Sequence, residues 1–414
     1  MNGKESASGA SGTAPGPLAG VRILDLTSVV LGPLATQILG DYGADVVKVE
    51  NLEGDLARDS GVSLHQGMSS IFLAINRNKR SIAVDLKSPE GKAVLRRLLP
   101  GADVLVHNMR VAAIEKLGFG YDAVAELRPE IVYCAATGFG QDGPDRDKPA
   151  FDDIIQAACG LASVNSLGRE QPDYVPTLIA DKTTGMALVN AVLAALFFRE
   201  RSGRGQYVEV PMFETMVAFL LSEHLGGLSF DPAPGKAGYA RLLAGGRRPA
   251  PTKDGYIAIL PYTADQLKAF FNGVGRTDLA QKYGGADRPT RNAQLVEMYR
   301  DMVQMTRQRS TAELMAICTS LDIPATPIYT LDALPEHPQI KAVGLIQQAE
   351  HPSEGSIRYI NPSTLFAASP ATVRLPAPLL GQHTEDILRE AGYDAAEIAA
   401  LEARRVIARA ANKD

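Results

Sequence analysis

The chain has 414 residues, of which 45% are hydrophobic and 21% charged, and its net charge is −5 at pH 7. This length favours two domains, the composition is that of a globular protein, and the charge excludes the broad polycationic surface of nucleic-acid-binding proteins. The three cysteines, Cys134, Cys159 and Cys318, lie far apart in the sequence and predict neither a redox motif nor a disulfide framework. We therefore expect a cytoplasmic protein without a nucleic-acid partner.

Residues 1–17 are rich in Gly, Ala and Ser and lack the apolar core of a signal peptide, so they predict a disordered leader. From Val21 onwards, apolar strand-like segments alternate with helical segments, which predicts an α/β fold with a mostly parallel sheet. The predicted strands of this region are Val21–Leu26, Asp45–Glu50, Ser81–Leu86, Asp103–Asn108 and Glu130–Ala136. The predicted helices are Leu34–Tyr42, which follows Pro33, and a helix that Ser88 caps and that runs to Leu99.

A long apolar helix at Thr183–Arg201, a strand at Tyr207–Met212 and a helix at Phe213–Leu225 complete a large domain that we assign to residues 18–228. The longest apolar run is Met186–Phe198, which Asn190 interrupts. This run is shorter than the ~20 apolar residues that a membrane-spanning helix needs, so we predict no membrane partner.

The composition changes after Leu228. Residues 229–253 are rich in Gly, Pro, Ala and Arg and predict a linker. Residues 254–330 predict a smaller α+β domain, with a strand at Tyr256–Leu260 and helices near 263–272, 292–306 and 311–321. Residues 331–414 predict a tail of short strands and of helices near 384–390 and 395–408, which we expect to return to the large domain.

Several common catalytic motifs are missing. The predicted βαβ unit at Val21–Glu50 lacks the G-x-G-x-x-G fingerprint, and the chain has neither a phosphate-binding G-x-x-x-x-G-K-[ST] loop nor a G-x-S-x-G nucleophile elbow. The six histidines show no metal-ligand spacing, so we predict no metal site. Nicotinamide, nucleoside triphosphate, serine-hydrolase and zinc chemistry are therefore without support.

One carboxylate stands at the predicted start of a helix. In the segment TLIADKTTG an apolar run meets Asp181, after which Thr183 begins the long apolar helix. One interpretation makes Asp181 a helix N-cap. The other uses the same position for catalysis, because a helix N-terminus keeps a carboxylate ionised and offers N–H groups to an oxyanion, and an ionised carboxylate can attack a thioester. Asp152 and Asp153 are rival carboxylates at another helix start.

Seven segments in order carry a resemblance to a known family. They are PLAGVRILDLT…GP (Pro17–Pro33), LGDYGADVVKVE (Leu39–Glu50), NRNKRSIAVDLKSPEGK (Asn76–Lys92), ADVLVHNMR (Ala102–Arg110), GFGQDGP (Gly138–Pro144), AALFFRERSGRGQYVEVPM (Ala194–Met212) and PAPLLGQHTEDIL (Pro376–Leu388). Together they resemble the class III CoA-transferases, which include formyl-CoA and carnitine CoA-transferases. The same superfamily contains the 2-methylacyl-CoA racemases.

The resemblance implies a set of site residues. The nucleophilic aspartate of this family precedes a Gly-containing helix, a position that Asp181 occupies here. The family binds CoA on a Rossmann-like domain, through residues after its strands, where basic side chains suit the phosphates of CoA. By position the candidates are Asn51, Asp85, Lys87, Asn108, Met109, Arg110, Lys116 and Lys148. Lys87, Lys116 and Lys148 could equally be solvated surface charges.

The resemblance also implies the reaction and the assembly. An acyl-CoA and a carboxylic acid would be the substrates, and CoA would pass between them through an aspartyl anhydride and an aspartyl-CoA thioester. CoA would be a co-substrate, with no permanently bound cofactor and no ATP. Members of the family are interlocked homodimers, so we expect a homodimer.

Three positions depart from the family patterns. Val30 stands where formyl-CoA transferases have Gln, and the region of their glycine-rich loop, here Ala244–Gly246, is short, so we predict against a strict formyl/oxalate enzyme. Asn165 stands where the racemases have a His, and an amide cannot shuttle protons as imidazole does. A racemase with a different base and a non-catalytic CoA-binding protein remain alternatives.

The substrate acids are only weakly indicated. Arg241, Arg247 and Arg248 lie in the predicted linker and could pair with the second carboxylate of a dicarboxylic acid such as succinate. They could equally form an exposed basic loop.

Overall fold

The computed structural model describes residues 14–166, 171–244 and 246–410. The strands are β1 (Arg22–Leu26), β2 (Asp45–Glu50), β3 (Lys79–Val84), β4 (Val104–His107), β5 (Val132–Thr137), β6 (Gln206–Pro211), β7 (Ala250–Pro251), β8 (Tyr256–Ile259), β9 (Ala325–Pro327), β10 (Ile346–His351), β11 (Gly355–Ile360) and β12 (Ile407–Ala408). Residues 1–13 of the predicted leader lie outside this range. Within it, the Gly16 carbonyl accepts a hydrogen bond from the Ala19 N–H at 3.0 Å.

The helices connect and cover these strands. They are α1 (Leu31–Asp41), α2 (Ser70–Ile75), α3 (Pro89–Leu98), α4 (Val111–Leu117), α5 (Tyr121–Leu127), α6 (Asp152–Ala158), α7 (Leu161–Asn165), α8 (Ile179–Ser202), α9 (Met212–His224), α10 (Ala240–Leu243), α11 (Ala264–Gly273), α12 (Thr277–Gly284), α13 (Arg288–Ala293), α14 (Leu295–Thr306), α15 (Thr311–Ser320), α16 (Pro338–Ala342), α17 (Thr384–Glu390) and α18 (Ala395–Ala403).

Seven strands form the main sheet, in the order β12-β3-β2-β1-β4-β5-β6. Neighbours from β3 to β6 are parallel, and β12 is antiparallel to β3. The central strands are buried and rich in Val, Ile and Leu, as expected for a sheet covered on both faces. The predicted α/β class with a mostly parallel sheet is confirmed. The order 3-2-1-4-5-6 reverses direction between β1 and β4, where such sheets bind ligands at the carboxyl ends of their strands.

The strand β3 begins two residues earlier than predicted, because Lys79 and Arg80 extend it. Lys79 is fully buried and its ammonium contacts the Asp25 carboxylate of β1 at 3.0 Å. Lys48 of β2 is buried as well and pairs with Asp55 at 2.8 Å. Charged residues within these strands therefore belong to the core, since each ammonium has a carboxylate partner.

The helix α3 follows β3 as predicted, with Ser88 as its cap. The Ser88 hydroxyl accepts a hydrogen bond from the Gly91 N–H at 3.0 Å. A Cβ on Gly91 would lie 1.9 Å from the Asp85 carbonyl oxygen, so this tight turn requires glycine.

The helix α8 spans 24 residues and starts earlier than predicted, at Ile179. By length and composition it is the one helix in the described part of the chain that could cross a membrane. Its buried face packs against α1, β5 and β6, and Asp181 and Gly185 lie on that face. These contacts are those of a core helix of an α/β domain.

The chain divides into two compact units. The first contains residues up to Gly160, Tyr174–Phe219 and residues from Lys341 onwards, and it holds the main sheet. The second contains the described part of Leu161–Asp173 together with Leu220–Ile340. Its core is formed by the helices α11, α12, α14 and α15, which pack with the three-stranded sheet β7-β8-β9.

These units differ from the predicted domain boundaries. The described part of Leu161–Asp173 and the segment 220–228 were assigned to the large domain but make their contacts within the second unit. The predicted linker 229–253 contains α10 and β7. The last predicted helix, 395–408, ends at Ala403, because Arg405 has a φ of 56° and Ile407 and Ala408 pair with β3.

Candidate active site

Two loops meet where the order of the main sheet reverses. One follows β1 and the other follows β4, and Asn108 joins them through a pair of hydrogen bonds. Its Oδ1 accepts from the Ser28 N–H at 3.0 Å, and its Nδ2 donates to the Ser28 carbonyl at 2.8 Å. An amide can donate and accept in this way, whereas a carboxylate can only accept. Asn108 was predicted as a CoA contact. In the structure its side chain fixes the loop after β1.

The loop after β1 contains a strained residue, Val29, with a φ of 70°. A β-branched residue with a positive φ is rare, and such a conformation costs about 1–3 kcal/mol unless its surroundings hold it. The Val29 N–H donates to Asp55 Oδ1 at 2.9 Å. Lys48 Nζ donates to Asp55 Oδ2 at 2.8 Å and to the Thr27 carbonyl at 3.0 Å. The buried Lys48–Asp55 pair therefore holds the strained backbone in place.

A second buried carboxylate, that of Asp25, supports the same loop. Asp25 accepts hydrogen bonds from the Thr27 N–H at 2.9 Å, the Thr36 hydroxyl at 2.6 Å and Lys79 Nζ at 3.0 Å. Burial alone would raise the pKa of Asp25, but the charges of Lys79 and Lys48 and the bonds from the threonines hold it at about 2. Asp25 is therefore ionised at neutral pH and has a structural role.

The predicted nucleophile Asp181 lies in the first turn of α8 and is only 9% exposed. Its pKa is raised to about 7, first by burial and second by the charge of Asp152. The Asp181 N–H donates to Asp152 Oδ1 at 3.0 Å, and Asp152 Oδ2 accepts from Gln156 Nε2 at 2.7 Å. Among the described residues, none donates a hydrogen bond to the Asp181 carboxylate.

This geometry corrects two expectations about Asp181. It is not the N-cap, because α8 begins at Ile179 with Leu178 at the cap position and no side-chain cap. Its surroundings do not keep it strongly ionised, because desolvation and the neighbouring Asp152 outweigh the favourable field of the helix N-terminus. Of the two rival carboxylates, Asp152 is buried and bonded to the start of α8, while Asp153 is exposed.

Asp181 lines a cavity of about 270 Å³ at the switch point of the sheet. The loops after β1, β4 and β5 form its walls. Four of the predicted CoA-binding residues line the same cavity, namely Asn108, Met109, Arg110 and Lys148. Arg110 has no ion-pair partner among the described residues, whereas Lys148 pairs with Asp145 at 2.7 Å on the surface. Arg110 is therefore the better placed of the two cations for binding an anion.

A second cavity, of about 460 Å³, lies beside the ends of β1, β2 and β3. It contains the predicted residues Asn51, Asp85 and Lys87, and Ser28 and Met109 line both cavities. The two cavities together trace a path along the carboxyl edge of the sheet. Lys116 lines neither, because it lies on the exposed side of the last turn of α4.

Several lining residues were not predicted. They are Ser28, Val29, Thr137, Gln141 and Arg146. Thr137 is the last residue of β5, and Gln141 belongs to the segment after it, where the run Gly138-x-Gly140-x-x-Gly143 directly follows the strand. That glycine spacing could have indicated that this segment lines the site. It does not begin a helix, because the Gly140 N–H donates to the Glu214 carboxylate at 3.0 Å.

Val30 and Asn165, the positions that differ from formyl-CoA transferases and from racemases, lie in different parts of the structure. Val30 is buried and lines the Asp181 cavity. No histidine is among the described residues that line it. Asn165 lies in α7 and donates to the Asp173 carbonyl at 3.0 Å, while Leu167, Gly168 and Arg169 lie outside the described residues. Within the described ranges, no group of three or more His, Cys, Asp or Glu side chains could hold a metal ion.

Comparison with known proteins identifies the family of the chain. A family model of CoA-transferase family III matches residues 18–384. The chain is 32% identical over 381 residues to the succinate–glutarate CoA-transferase of Agrobacterium fabrum, covering 90% of this chain and 95% of that protein. It is 31% identical over 412 residues to a formyl-CoA:oxalate CoA-transferase of Rhodopseudomonas palustris, covering 93% and 96%.

A solved structure has the same fold. The crystal structure of a CAIB/BAIF family protein from Brucella suis matches with a TM-score of 0.78 and 28% identity, over 91% of this chain and 100% of that one. With the family model matching nearly the whole chain, CoA is identified as a co-substrate. The chain belongs to CoA-transferase family III and is a CoA-transferase.

Proposed function

We propose that Asp181 is the nucleophile that carries CoA from an acyl-CoA to a free carboxylic acid. The observation that supports this most is its placement: a carboxylate with no hydrogen-bond donor among the described residues lines a cavity at the switch point of the sheet. An Asp that served only to cap or pair would have a donor on its oxygens, as Asp25 and Asp55 do.

The chemistry balances without ATP or a metal. An Asp181 carboxylate oxygen attacks the donor thioester carbonyl, the C–S bond breaks, and the CoA thiolate leaves a mixed anhydride. The thiolate attacks the aspartyl carbonyl, which releases the donor acid and forms an aspartyl-CoA thioester. The acceptor carboxylate displaces the thiolate to give a second anhydride. The thiolate then attacks the acceptor acyl carbon, which releases the new acyl-CoA and regenerates Asp181.

The pKa of Asp181 suits this role. Because burial and Asp152 raise it to about 7, the ionised carboxylate is more basic than an exposed aspartate and therefore a stronger nucleophile. About half of the molecules carry the ionised form at neutral pH, so the gain in nucleophilicity does not eliminate the reactive form.

The two cavities suggest how CoA is held. We place the thioester in the Asp181 cavity and the remainder of CoA along the second one, past Met109 and Ser28, which line both. Arg110 is the cation that we assign to a CoA phosphate, since it is exposed and has no acidic partner among the described residues. Lys116 has the weakest support of the predicted contacts.

A dicarboxylic acid is the substrate class that we favour. A relative with 32% identity is named for succinate and glutarate, and Val30 stands where formyl-CoA transferases have Gln. The racemase alternative loses support, because no described residue lining the cavity supplies an imidazole as a second base. A cytoplasmic homodimer, interlocked as in the family, remains part of the proposal, and sedimentation of the purified protein would test the dimer.

Incubation with succinyl-CoA and a panel of acids tests the function. We expect exchange of CoA into at least one short dicarboxylic acid, and a CoA adduct on the protein that mass spectrometry of peptides locates at Asp181. Asp181→Ala should abolish both, whereas Asp153→Ala, which removes an exposed carboxylate from the first turn of α6, should retain them. Unimpaired exchange by Asp181→Ala would disprove the role of Asp181.

A further inference from the structure

A cavity in the second unit is surrounded by arginines. It measures about 390 Å³ and lies between α10, the start of α11, α13 and α14. Arg241, Arg288 and Arg291 line it, and none of its described lining residues is acidic. We propose that this cavity binds a small dianion through its carboxylate or phosphate oxygens, and that these arginines supply the contacts.

The arginines lack the partners that surface arginines usually have. None of the three forms an ion pair with a described carboxylate, and the acid beside them in the chain, Asp287, accepts the Thr290 N–H at 2.9 Å as the cap of α13. Arg291 donates to the Ala286 carbonyl, which is neutral. Positive charges gathered around one cavity repel each other, so a bound anion would lower the free energy of this arrangement.

Arg241 gives the sharpest indication of a ligand. Its Nε is buried and has no hydrogen-bond partner in the part of the chain that the structure describes. Its guanidinium lies over the Tyr262 ring, 4.8 Å from the centroid. A contact with an aromatic ring does not replace a hydrogen-bond acceptor, so the Nε–H still needs one. A buried donor without a partner is unfavourable, and an anionic oxygen that accepts from it would remove that cost.

The rest of the cavity fits a small organic acid. Leu267, Leu295 and Met298 are buried and provide an apolar base. The volume is near the lower end of the range of about 300–1,000 Å³ that is typical of small-molecule sites. Guanidinium groups above an apolar base match an aliphatic dicarboxylate, while the same groups would also accept the phosphates of CoA.

Isothermal titration of the full-length protein tests this proposal without turnover, because no acyl-CoA is present. The probes are succinate, adenosine 3′,5′-bisphosphate and the neutral analogue succinamide. We expect saturable binding of succinate or of the bisphosphate, weakened by added salt, and no binding of succinamide. Whichever probe binds more tightly identifies the source of the dianion. No saturable binding of either anion up to about 10 mM would overturn the proposal.

Substitutions locate the binding. Arg288→Gln changes an exposed residue and should leave the fold intact, and it should weaken the bound probe about tenfold or more. Arg241→Lys keeps the charge but removes the Nε–H, and it should also weaken binding. Arg300→Gln, an exposed arginine on α14 outside the cavity, is the matched control and should bind as the wild type does. Equal affinity in Arg288→Gln and Arg300→Gln would show that the anion binds elsewhere.

This experiment is independent of the reaction assigned to Asp181. An inactive Asp181→Ala protein whose binding of the probe is still weakened by Arg288→Gln would uphold this site whatever the outcome for the nucleophile. An active wild type that binds neither probe would overturn the arginine site and leave the transferase proposal standing.

Discussion

The backbone N–H of Asp181 donates a 3.0 Å hydrogen bond to Oδ1 of Asp152, so the first turns of α8 and α6 bring two acidic residues together. The contact fixes the position of Asp181 and at the same time raises its pKa, because Asp152 contributes a like charge. The same residue therefore affects both the geometry and the protonation of the proposed nucleophile.

The first prediction concerns the pH dependence of catalysis. Attack requires the ionised carboxylate, so kcat/KM should rise with pH through about 7 and then level off. Asp152→Asn removes the like charge while its side-chain oxygen can still accept the Asp181 N–H, so the midpoint should move to lower pH. Burial, the larger cause, remains, so the midpoint should stay above that of an exposed aspartate. Asp153→Asn should keep the wild-type profile, and an unmoved midpoint in Asp152→Asn would contradict the coupling.

A second prediction links the same pKa to stability. The pKa of Asp181 is about 7 in the folded state against an ordinary aspartate value of 3.8, so the folded state retains a proton that the unfolded state releases between these pH values. This contribution to stability is fully present below the lower value and is lost as pH rises to about 7. Asp181→Asn cannot ionise and should gain on the wild type by roughly 2–3 kcal/mol between pH 5 and pH 8.

Urea unfolding of both proteins at the two pH values measures this difference. Other titrating groups are common to the two proteins, so their effects cancel in the comparison. Asp153→Asn is the control and should track the wild type, because its carboxylate is exposed. A constant difference between Asp181→Asn and the wild type would mean that burial does not raise the pKa of Asp181 in the folded protein.

The parallel sheet and the position of Asp181 could be predicted, but the supports of the site could not. Apolar β-strand segments and a carboxylate before an apolar helix are local patterns. Lys48 and Lys79, by contrast, are charged residues within apolar strands, and their sequence context does not indicate their partners. The fold brings Lys48 to Asp55 and Lys79 to Asp25. The strain at Val29 has no sequence signature, since a positive φ is expected at Gly or Asn and not at a β-branched residue.

The compact units differ from the predicted domain boundaries for a related reason. Periodicity assigns a helix or a strand, but the unit to which it belongs depends on contacts distant in the sequence. Residues from Leu220 onwards continue α9 without any change in composition, yet they belong to the second unit. The change in composition after Leu228 marks a segment of mostly exposed residues and does not coincide with the boundary between the two units.

A third prediction tests the buried pair beneath Val29. Asp55→Ala leaves the Lys48 ammonium buried without its carboxylate and should destabilise the protein by about 3–5 kcal/mol. Adding Lys48→Met removes the ammonium that has lost its hydrogen-bonded carboxylate and should recover only part of that loss, because the buried Asp25 then has one cation fewer. Activity should not recover, because the Val29 N–H still lacks its acceptor. Urea unfolding and steady-state kinetics of the single and double variants measure both effects. Recovery of activity along with stability would show that the Asp55 contact to Val29 has no role in the reaction.

The fourth prediction concerns Asn108, which joins the loops on both sides of the switch point. In Asn108→Asp the new carboxylate oxygen faces the Ser28 carbonyl, so an attractive contact becomes a repulsive one. We expect kcat/KM to fall roughly 10- to 100-fold, since a small displacement of a positioned group costs about that much. Asn108→Ser is the comparison variant, because a hydroxyl can still donate and accept, and it should lose less. A larger loss in Asn108→Ser than in Asn108→Asp would point to lost volume instead of the hydrogen-bond pattern.

The last prediction concerns the packing of α8 on α1, which sets the distance between Asp181 and the loop after β1. A Cβ on Gly185, one turn beyond Asp181, would lie 2.8 Å from the Leu31 carbonyl oxygen, a backbone atom that cannot rotate away. Gly185→Ala should therefore force α1 and α8 apart, at a cost of about 1–3 kcal/mol that exceeds the gain in helix propensity of about 1 kcal/mol. Because α1 begins at Leu31, activity should fall as well. Met186→Ala changes the neighbouring, exposed position and should leave both activity and the urea midpoint nearly unchanged. A Gly185→Ala protein that is more stable than the wild type would mean that the two helices can separate without strain.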